Sequence, residues 1–317
     1  MTDYFLYDET VKKKRHKKKV LITWLMIMIA VNIAIFGYLY YVTYVDRGYV
    51  SVNFIDVKQG DSSFINTPKG NHILIDGGDV SFGKGAVKQF MVSRGIHDLD
   101  VAFVTHCHED HATGIIELIE SGFSIKKVCV HGSGDHNDLG KRLLKVASEH
   151  GVEVEFLKVG DVLEFDDVTM TILAPENMFI EKGKVDENES SLVIRMDYAK
   201  NSVLFTGDIE NKAEKSLLNN PNLDVDILKV GHHGSKTSSS LKFIEEVSPK
   251  FAIVSVGEDN KYGLPDEEAL ANIQKSGAEI LRTDFEGDIE ISIAEKGITK
   301  IKKNKKKLKI GTKSYDS

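Results

Sequence analysis

Residues 20–45 read VLITWLMIMIAVNIAIFGYLYYVTYV, and none of them is charged. Nothing else in the chain constrains its folding as strongly. A run of this length is enough to cross a bilayer as a helix. Its flanks favour that setting: Lys12, Lys13, Lys14, Arg15, Lys17, Lys18 and Lys19 stand immediately before it. Trp24 falls near one predicted interface and Tyr38, Tyr40, Tyr41 and Tyr44 near the other, where amphipathic rings settle. Asn32 is the only strongly polar interruption. A cleaved signal peptide would have a shorter apolar core, about 7–15 residues, and a small-residue cleavage site. This run is longer and ends in tyrosines. A buried core helix would not normally begin with seven basic residues. Residues 20–45 are therefore expected to be an uncleaved transmembrane anchor. Lysine and arginine stay on the cytoplasmic side, so residues 1–19 read as a basic cytoplasmic segment and residues 48–317 are expected outside. No second uncharged span follows to bring the chain back.

The remainder must form its own core. Hydrophobic residues make up 41% of the 317, enough for a sizeable interior. The net charge of −7 hides an asymmetry. Seven of the 41 basic residues lie at 12–19 and nine, all lysines, lie after residue 295: Lys296, Lys300, Lys302, Lys303, Lys305, Lys306, Lys307, Lys309 and Lys313. The stretch between holds 25 basic and 44 acidic residues, a balance near −19. A body that acidic does not attract polyanions over its whole surface. Contact with nucleic acid or an anionic wall polymer must come from residues 296–317, read as a basic C-terminal tail, or from bound metal. Cys107 and Cys129 form no CxxC pattern and read as two free, partly buried thiols.

Periodicity supplies a coarse architecture. Residues 50–57, 61–67 and 72–76 read as strands, 83–95 as a helix, and 100–105 as a buried strand leading into a helix over 110–122. A strand at 127–131, a helix at 138–150 and short strands between 153 and 174 follow. A second series has strands at 191–197, 202–206 and 225–230 with a helix near 210–219. Helices near 239–247 and 266–277, a strand at 251–255 and closing strands over 280–302 complete it. Two such halves predict two sheets back to back with helices outside, the polar clusters lying in loops at one edge.

The chemistry is concentrated at strand ends. His106-Cys107-His108-Glu109-Asp110-His111 follows a buried strand and opens a helix. His106 and His108 share one side if strand geometry persists, and Asp110 and His111 turn towards a second position as the helix begins. Imidazole with carboxylate suits zinc, manganese or iron. Asp208 closes the strand Val203–Phe205; alone it would read as a helix N-cap, but beside the first motif it reads as a bridging carboxylate. His232 and His233 close a third strand, and at least one of them reads as a ligand. Asp76 ends a fourth and reads as support for the ligands, or as a simple Asp-Gly turn.

These segments resemble the metallo-β-lactamase superfamily, and in detail the extracellular hydrolase domain of the ComEC family of DNA-uptake proteins. The resemblance runs through FIDVKQGDS at 54–62, LIDGG at 74–78, THCHEDH at 105–111, SLVIRM at 191–196, LFTGDIE at 204–210, LKVGHHGSKTSSS at 228–240 and RTDFEGDIE at 282–290. It covers about residues 50–292 and not the multi-pass transport domain of those proteins, so a stand-alone hydrolase domain over residues 48–295 on one anchor is expected. It implies an α/β, four-layer αββα sandwich (the metallo-β-lactamase fold) preceded by one transmembrane helix. It implies two divalent metal ions, zinc first and manganese as the alternative. His106 and His108 would hold the first, Asp110 and His111 the second, and Asp208 would bridge them. By the resemblance His233 is the better ligand of its pair and His232 faces substrate.

Two departures stand out. A further first-site histidine, common in the superfamily after a strand, is replaced by Leu173-Ala174-Pro175-Glu176-Asn177; His131, on an earlier strand, is a candidate to stand in for it, and the site otherwise lacks this ligand. Where competence-type domains often read Tyr-Gly-His-Pro, this chain has Tyr262-Gly263-Leu264-Pro265. The first metal is therefore expected to be the weaker. Asp110, His232 and Lys229 are candidate catalytic groups, and Ser235 and Thr237, with Lys229, stand close enough in sequence to hold a phosphate. The expected activity is metal-dependent phosphodiester hydrolysis, on nucleic acid or a phosphate-containing wall polymer. A hydrolase of another ester or amide, lactams included, and a non-catalytic binding module are the competing readings.

Overall fold

A computed structural model describes residues 2–44, 48–132, 134–218 and 220–304, and the side chains of 11–38 within the first helix. The chain divides into two compact units, residues 1–46 and 47–317. The first is a single helix, α1 (Thr2–Tyr44). Its stretch Val11–Tyr38 is long and apolar enough to cross a membrane and has no buried side chains. The basic run, expected as a separate segment, is helical and continuous with the apolar span. At 1.5 Å per residue α1 is roughly 65 Å long, about twice the hydrocarbon thickness of a bilayer. Asn32 folds its amide back onto the Met28 carbonyl at 2.8 Å, and Thr23 does the same onto Lys19 at 3.0 Å. Each bond satisfies one side-chain donor within the helix itself. Trp24 and Tyr38 are exposed; the side chains of Tyr40, Tyr41 and Tyr44 lie outside the described residues.

The second unit is built on two sheets. The first contains β1 (Tyr49–Phe54), β2 (Ser63–Asn66), β3 (His72–Ile75), β4 (Val101–Phe103), β5 (Lys127–His131) and β6 (Glu153–Leu157). The second contains β7 (Val162–Phe165), β8 (Val168–Ala174), β9 (Val193–Tyr198), β10 (Asn201–Phe205), β11 (Ile227–Lys229), β12 (Phe251–Val254) and β13 (Glu279–Arg282). The chain then returns to the first sheet through β14 (Ile289–Ala294) and β15 (Gly297–Lys303). The strand orders are β15-β14-β1-β2-β3-β4-β5-β6 and β13-β12-β11-β10-β9-β8-β7.

Three apolar layers make this a four-layer αββα sandwich. Between the sheets, Val50, Val52, Phe54 and Phe103 of one meet Ile194, Phe205 and Ile253 of the other. The rings of Phe54 and Phe205 are 6.1 Å apart across that layer. On the outer face of the first sheet, α3 (Ala86–Val92), α4 (Glu109–Glu120) and α5 (Asp138–Glu149) cover Leu74, Ala102 and Val128. On the second, α6 (Asn211–Leu217), α7 (Leu241–Val247) and α8 (Glu267–Lys275) cover Val193, Leu204 and Leu228. Both faces of each sheet are buried, so the central strands are apolar runs.

Two boundaries differ from expectation. The helix expected over 83–95 is two pieces, α2 (Val80–Gly83) and α3, because Lys84 leaves the helical region at φ −48°, ψ 122°. The folded body also does not end at residue 295. β15 pairs with β14 through Ile289↔Lys303 to Ala294↔Gly297. Lys300, Lys302 and Lys303 are thus strand residues, Lys302 pairing with Glu290 and Lys303 with Glu279 and Glu286. The expected tail is reduced to residues 305–317, which lie outside the described residues.

Candidate metal centre

Parallel pairing gathers the polar strand ends. β3, β4 and β5 run parallel, as do β10, β11, β12 and β13. Parallel strands leave their carboxyl ends on one edge, where sites collect. Asp76 follows β3, Thr105–His111 follow β4, Asp208 follows β10, and His232 and His233 follow β11.

At that edge, donor atoms of Asp110, His111, Asp208 and His233 all lie within 4.8 Å of one another. His111 Nε2 is 3.3 Å from Asp208 Oδ2, and His233 Nε2 is 3.1 Å from Asp110 Oδ2 and 3.6 Å from Asp208 Oδ2. These are the four residues the sequence assigns to the second site. His111 Nε2 and Asp208 Oδ1 are buried without a hydrogen-bond partner. Orphaned polar atoms are costly, and two aimed into a cluster of carboxylates and imidazoles fit a cation well.

Supporting groups fix each donor. Asp76 accepts from the Thr105 N–H (2.8 Å) and the Thr105 hydroxyl (2.7 Å), and its other contact is His111 Nδ1 at 2.9 Å. That leaves Nε2 of His111 facing the cluster. The Asp208 N–H donates to Ser191 Oγ at 3.2 Å. Gly207 brings Asp208 close: it sits at φ +51°, and a Cβ there would lie 2.9 Å from Thr105 Oγ1 and from Ser191 Cβ. Asp208 is not the cap of α6. Buried Glu189 takes that role, accepting from the N–H groups of Glu210, Lys212 and Ala213. His232 and His233 both adopt left-handed backbone conformations, at φ 46° and 53°. For residues other than glycine that costs about 1–2 kcal/mol each. The turn points the two side chains differently: His233 is buried in the cluster, whereas His232 is partly exposed with Nδ1 2.8 Å from Glu210 Oε1.

The predicted first site is less complete. His106 Nε2 lies 3.1 Å from His108 Nδ1, with ring centroids 4.7 Å apart. Among the described residues, the close groupings of three or more donors include neither. His131 lines a small cleft beside His106 with His136, Met178 and Glu187, without joining such a grouping. Leu264, in the place of the competence-type histidine, packs against the core of the second sheet.

Lys229 requires a correction. Sequence proximity placed it near a substrate phosphate, but its side chain is 2% exposed and its Nζ lies 2.5 Å from Asp61 Oδ2. It donates to the Val230 carbonyl as well, at 2.7 Å. An alternating strand residue next to an outward-turning loop points inward, and this ammonium does not reach solvent. Ser235 and Thr237 do stand at the site: their hydroxyls are 2.9 Å apart, and Thr237 Oγ1 donates to Glu210 Oε1 at 2.9 Å. Asp61, Glu189 and Glu210 were not singled out from sequence, although Asp61 and Glu210 lie inside the segments FIDVKQGDS and LFTGDIE. Cys107, within the metal motif, turns away towards Gly134, and burial pushes its thiol up to about 12. Cys129 is likewise buried, with its thiol pushed up to about 12. Both cysteines are free.

Electrostatics follow from this crowding. Burial opposes charge on His111, but Asp208, Asp76 and Asp110 together hold its pKa well above the usual range. Burial is likewise outweighed at His233, raised to about 10 by Asp208 and Asp61. Asp208 is held well below the carboxylate range against burial by His111 and His233. Burial and the His111 charge push His106 well down. His232 is raised, burial being outweighed by its bond to Glu210 and the charge of Asp208. The sign for metal uptake is direct: raised values keep His111 and His233 protonated through neutral pH, so a cation must displace their protons. Apparent affinity for zinc is expected to rise from pH 6 to pH 8, about tenfold per pH unit for each proton released. Titration against a competing chelator at both pH values checks this, and a flat response contradicts it.

Fold and edge cluster together define a metallo-β-lactamase-type protein. The family model for the metallo-beta-lactamase superfamily matches residues 55–258, and the chain belongs to that superfamily. Relatives include ComE operon protein 3 of Bacillus subtilis (strain 168), 34% identical over 256 residues, covering 75% of this chain and 32% of the relative. Competence protein ComA of Neisseria gonorrhoeae is 29% identical over 250 residues, covering 78% and 33%. The chain thus spans about a third of the length of these curated relatives. The metallo-beta-lactamase fold protein YhfI from Bacillus subtilis shares the fold at TM-score 0.50 and 12% identity, covering 74% of this chain and 96% of YhfI.

Proposed function

We propose that this chain is a membrane-anchored hydrolase of phosphodiesters, acting outside the cytoplasm on nucleic acid or a phosphate-containing wall polymer. The observation that carries the reading is the donor set. Asp110, His111, Asp208 and His233 offer only oxygen and nitrogen, and no thiol is among them. Such hard donors suit an ion working on phosphate oxygens. These four would hold the tighter ion, and His106 and His108, with Asp208 between, a looser one. Zinc is the first expectation and manganese the alternative. A bound divalent ion supplies Lewis acidity and, at neutral pH, a hydroxide nucleophile.

The chain's own residues supply the rest. Asp76 fixes which nitrogen of His111 faces the cluster. His232 is held by Glu210 beside Asp208, in place to hand a proton to the leaving oxygen. The hydroxyls of Ser235 and Thr237 stand next to His232, placed to hydrogen-bond a phosphoryl oxygen. Full-length protein in detergent should cleave bis-p-nitrophenyl phosphate and single-stranded DNA and leave nitrocefin intact. Turnover of nitrocefin alone would move the reading to lactams, and no turnover with metal bound would favour a binding module.

The relatives being competence proteins, and the apolar helix α1, support membrane association. The basic residues before the span support a cytoplasmic N-terminus and an outer catalytic body. A reporter active only outside the cytoplasm, fused after Ser317, should be active; activity of a cytoplasmic reporter there instead would reverse the orientation. Five lysines remain beyond Asn304, at 305, 306, 307, 309 and 313, and they support salt-sensitive contact with anionic polymers.

A further inference from the structure

A buried charge pair stands behind the metal centre, and the mechanism above makes no use of it. Lys229 Nζ and Asp61 Oδ2 are 2.5 Å apart, with side chains 2% and 5% exposed. Burying two charges is costly even when they are paired, and the surroundings show what the pair organises. His233 Nδ1 is hydrogen-bonded to the Ser255 carbonyl at 3.0 Å, and Asp61 Oδ1, buried without a hydrogen-bond partner, lies 3.2 Å from the same nitrogen. The Asp61 N–H donates to the Asp110 carbonyl at 3.0 Å, and the Asp61 carbonyl accepts from Gly78 at 2.8 Å. One residue thus touches both Asp110 and His233, which lie far apart in sequence. Lys229 ends β11, and its ammonium also binds the carbonyl of Val230, just before the left-handed turn at His232 and His233.

We propose that Asp61 and Lys229 are positioning residues for His233. The Ser255 carbonyl and the Asp61 carboxylate together face the Nδ1 side of the ring, so that Nε2 faces Asp110 and Asp208. The Lys229 ammonium neutralises that carboxylate and ties it to the end of β11. Asp76 hydrogen-bonds Nδ1 of His111, and Asp61 faces Nδ1 of His233 as an ion-pair partner beside the Ser255 carbonyl, so each imidazole of the four-donor set has a carboxylate at its back. Groups of this kind orient a ligand and tune its donor strength. The assignment rests on the reading of the four donors as metal ligands.

Cobalt(II) binding to the full chain tests it, because the visible absorption of cobalt reports the geometry of its ligands. Asp61→Asn and Lys229→Met each leave one buried charge alone and should lower the melting temperature of the metal-free protein. The double variant leaves neither, so its melting temperature should recover towards wild type. Its cobalt affinity should nevertheless be about 10–100-fold weaker, with an altered spectrum. A double variant with wild-type affinity and spectrum would show that the pair is merely structural and overturn the assignment. If the double variant does not fold, Asp61→Glu keeps the charges and displaces the carboxylate by one methylene. Weakened cobalt binding with an altered spectrum there supports positioning; unchanged binding and spectrum overturn it. Wild-type protein that takes up no cobalt would instead overturn the metal reading, and this assignment with it.

Discussion

Asp110→Ala and His233→Ala should each abolish the one tightly held metal ion, whereas His106→Ala should leave that ion in place and still lose most activity. The expectation follows from unequal donor sets. Asp110, His111, Asp208 and His233 are gathered within 4.8 Å, a full set for a tetrahedral ion. His106 and His108 have each other at 3.1 Å and no close grouping of three donors among the described residues. After mild chelation, metal analysis should therefore find about one ion per chain, with activity restored by added zinc or manganese. Hydrolysis of bis-p-nitrophenyl phosphate should fall on the order of a thousand-fold in the Asp110 and His233 variants, since a metal supplies several kcal/mol of transition-state stabilisation. If His106→Ala strips the tight ion and Asp110→Ala does not, the order of the two sites is reversed.

Gly114→Ala should do comparable damage without touching a donor. α4 carries Asp110 and His111 in its first turn and is pressed against the loop after β3. The Gly77 N–H donates to the His111 carbonyl at 2.7 Å, and the Gly114 N–H to the Gly78 carbonyl at 3.1 Å. A Cβ on Gly114 would overlap the Gly77 carbonyl oxygen, and backbone cannot rotate away as a flexible side chain can. The helix must move off the loop. Overpacking of this kind costs about 3 kcal/mol, and the same movement withdraws Asp110 and His111 from Asp208. Thermal unfolding should show a lowered melting temperature, and metal analysis a loss of the tight ion. A variant that melts like wild type and keeps its ion would mean that the contact is soft.

Much of this could be read from local pattern. Apolar periodicity places most strands and helices within a few residues, because burial on two faces leaves an unmistakable run, as in Val101–Phe103 and Val203–Phe205. The candidate donors lie just beyond strand ends because a buried apolar run must terminate before polar groups can gather at the sheet edge. The division of the helix near Lys84 and the capping of α6 by Glu189 were not legible. Both depend on contacts with distant chain: Glu189 reaches α6 from the loop before β9.

The residues after 295 and Lys229 mark the same limit from the charge side. Lys229, read as a group for substrate phosphate, is buried against Asp61, and Lys303, read into a tail, sits in β15 and pairs with Glu279 and Glu286. The composition of a segment does not reveal which partners the fold will bring to it.

By itself, then, the amino-acid order determined an uncharged span able to cross a membrane, two apolar strand series and the HxHxDH cluster, since each is written in neighbouring residues. Which of His232 and His233 enters the cluster, which carboxylate stands behind it and where the Lys229 charge goes were decided only by the tertiary structure. Asp61 lies in the loop between β1 and β2, Asp110 in the first turn of α4, and Asp208 and His233 beyond β10 and β11. Their distances are set by the packing of two sheets, and no local spacing encodes them.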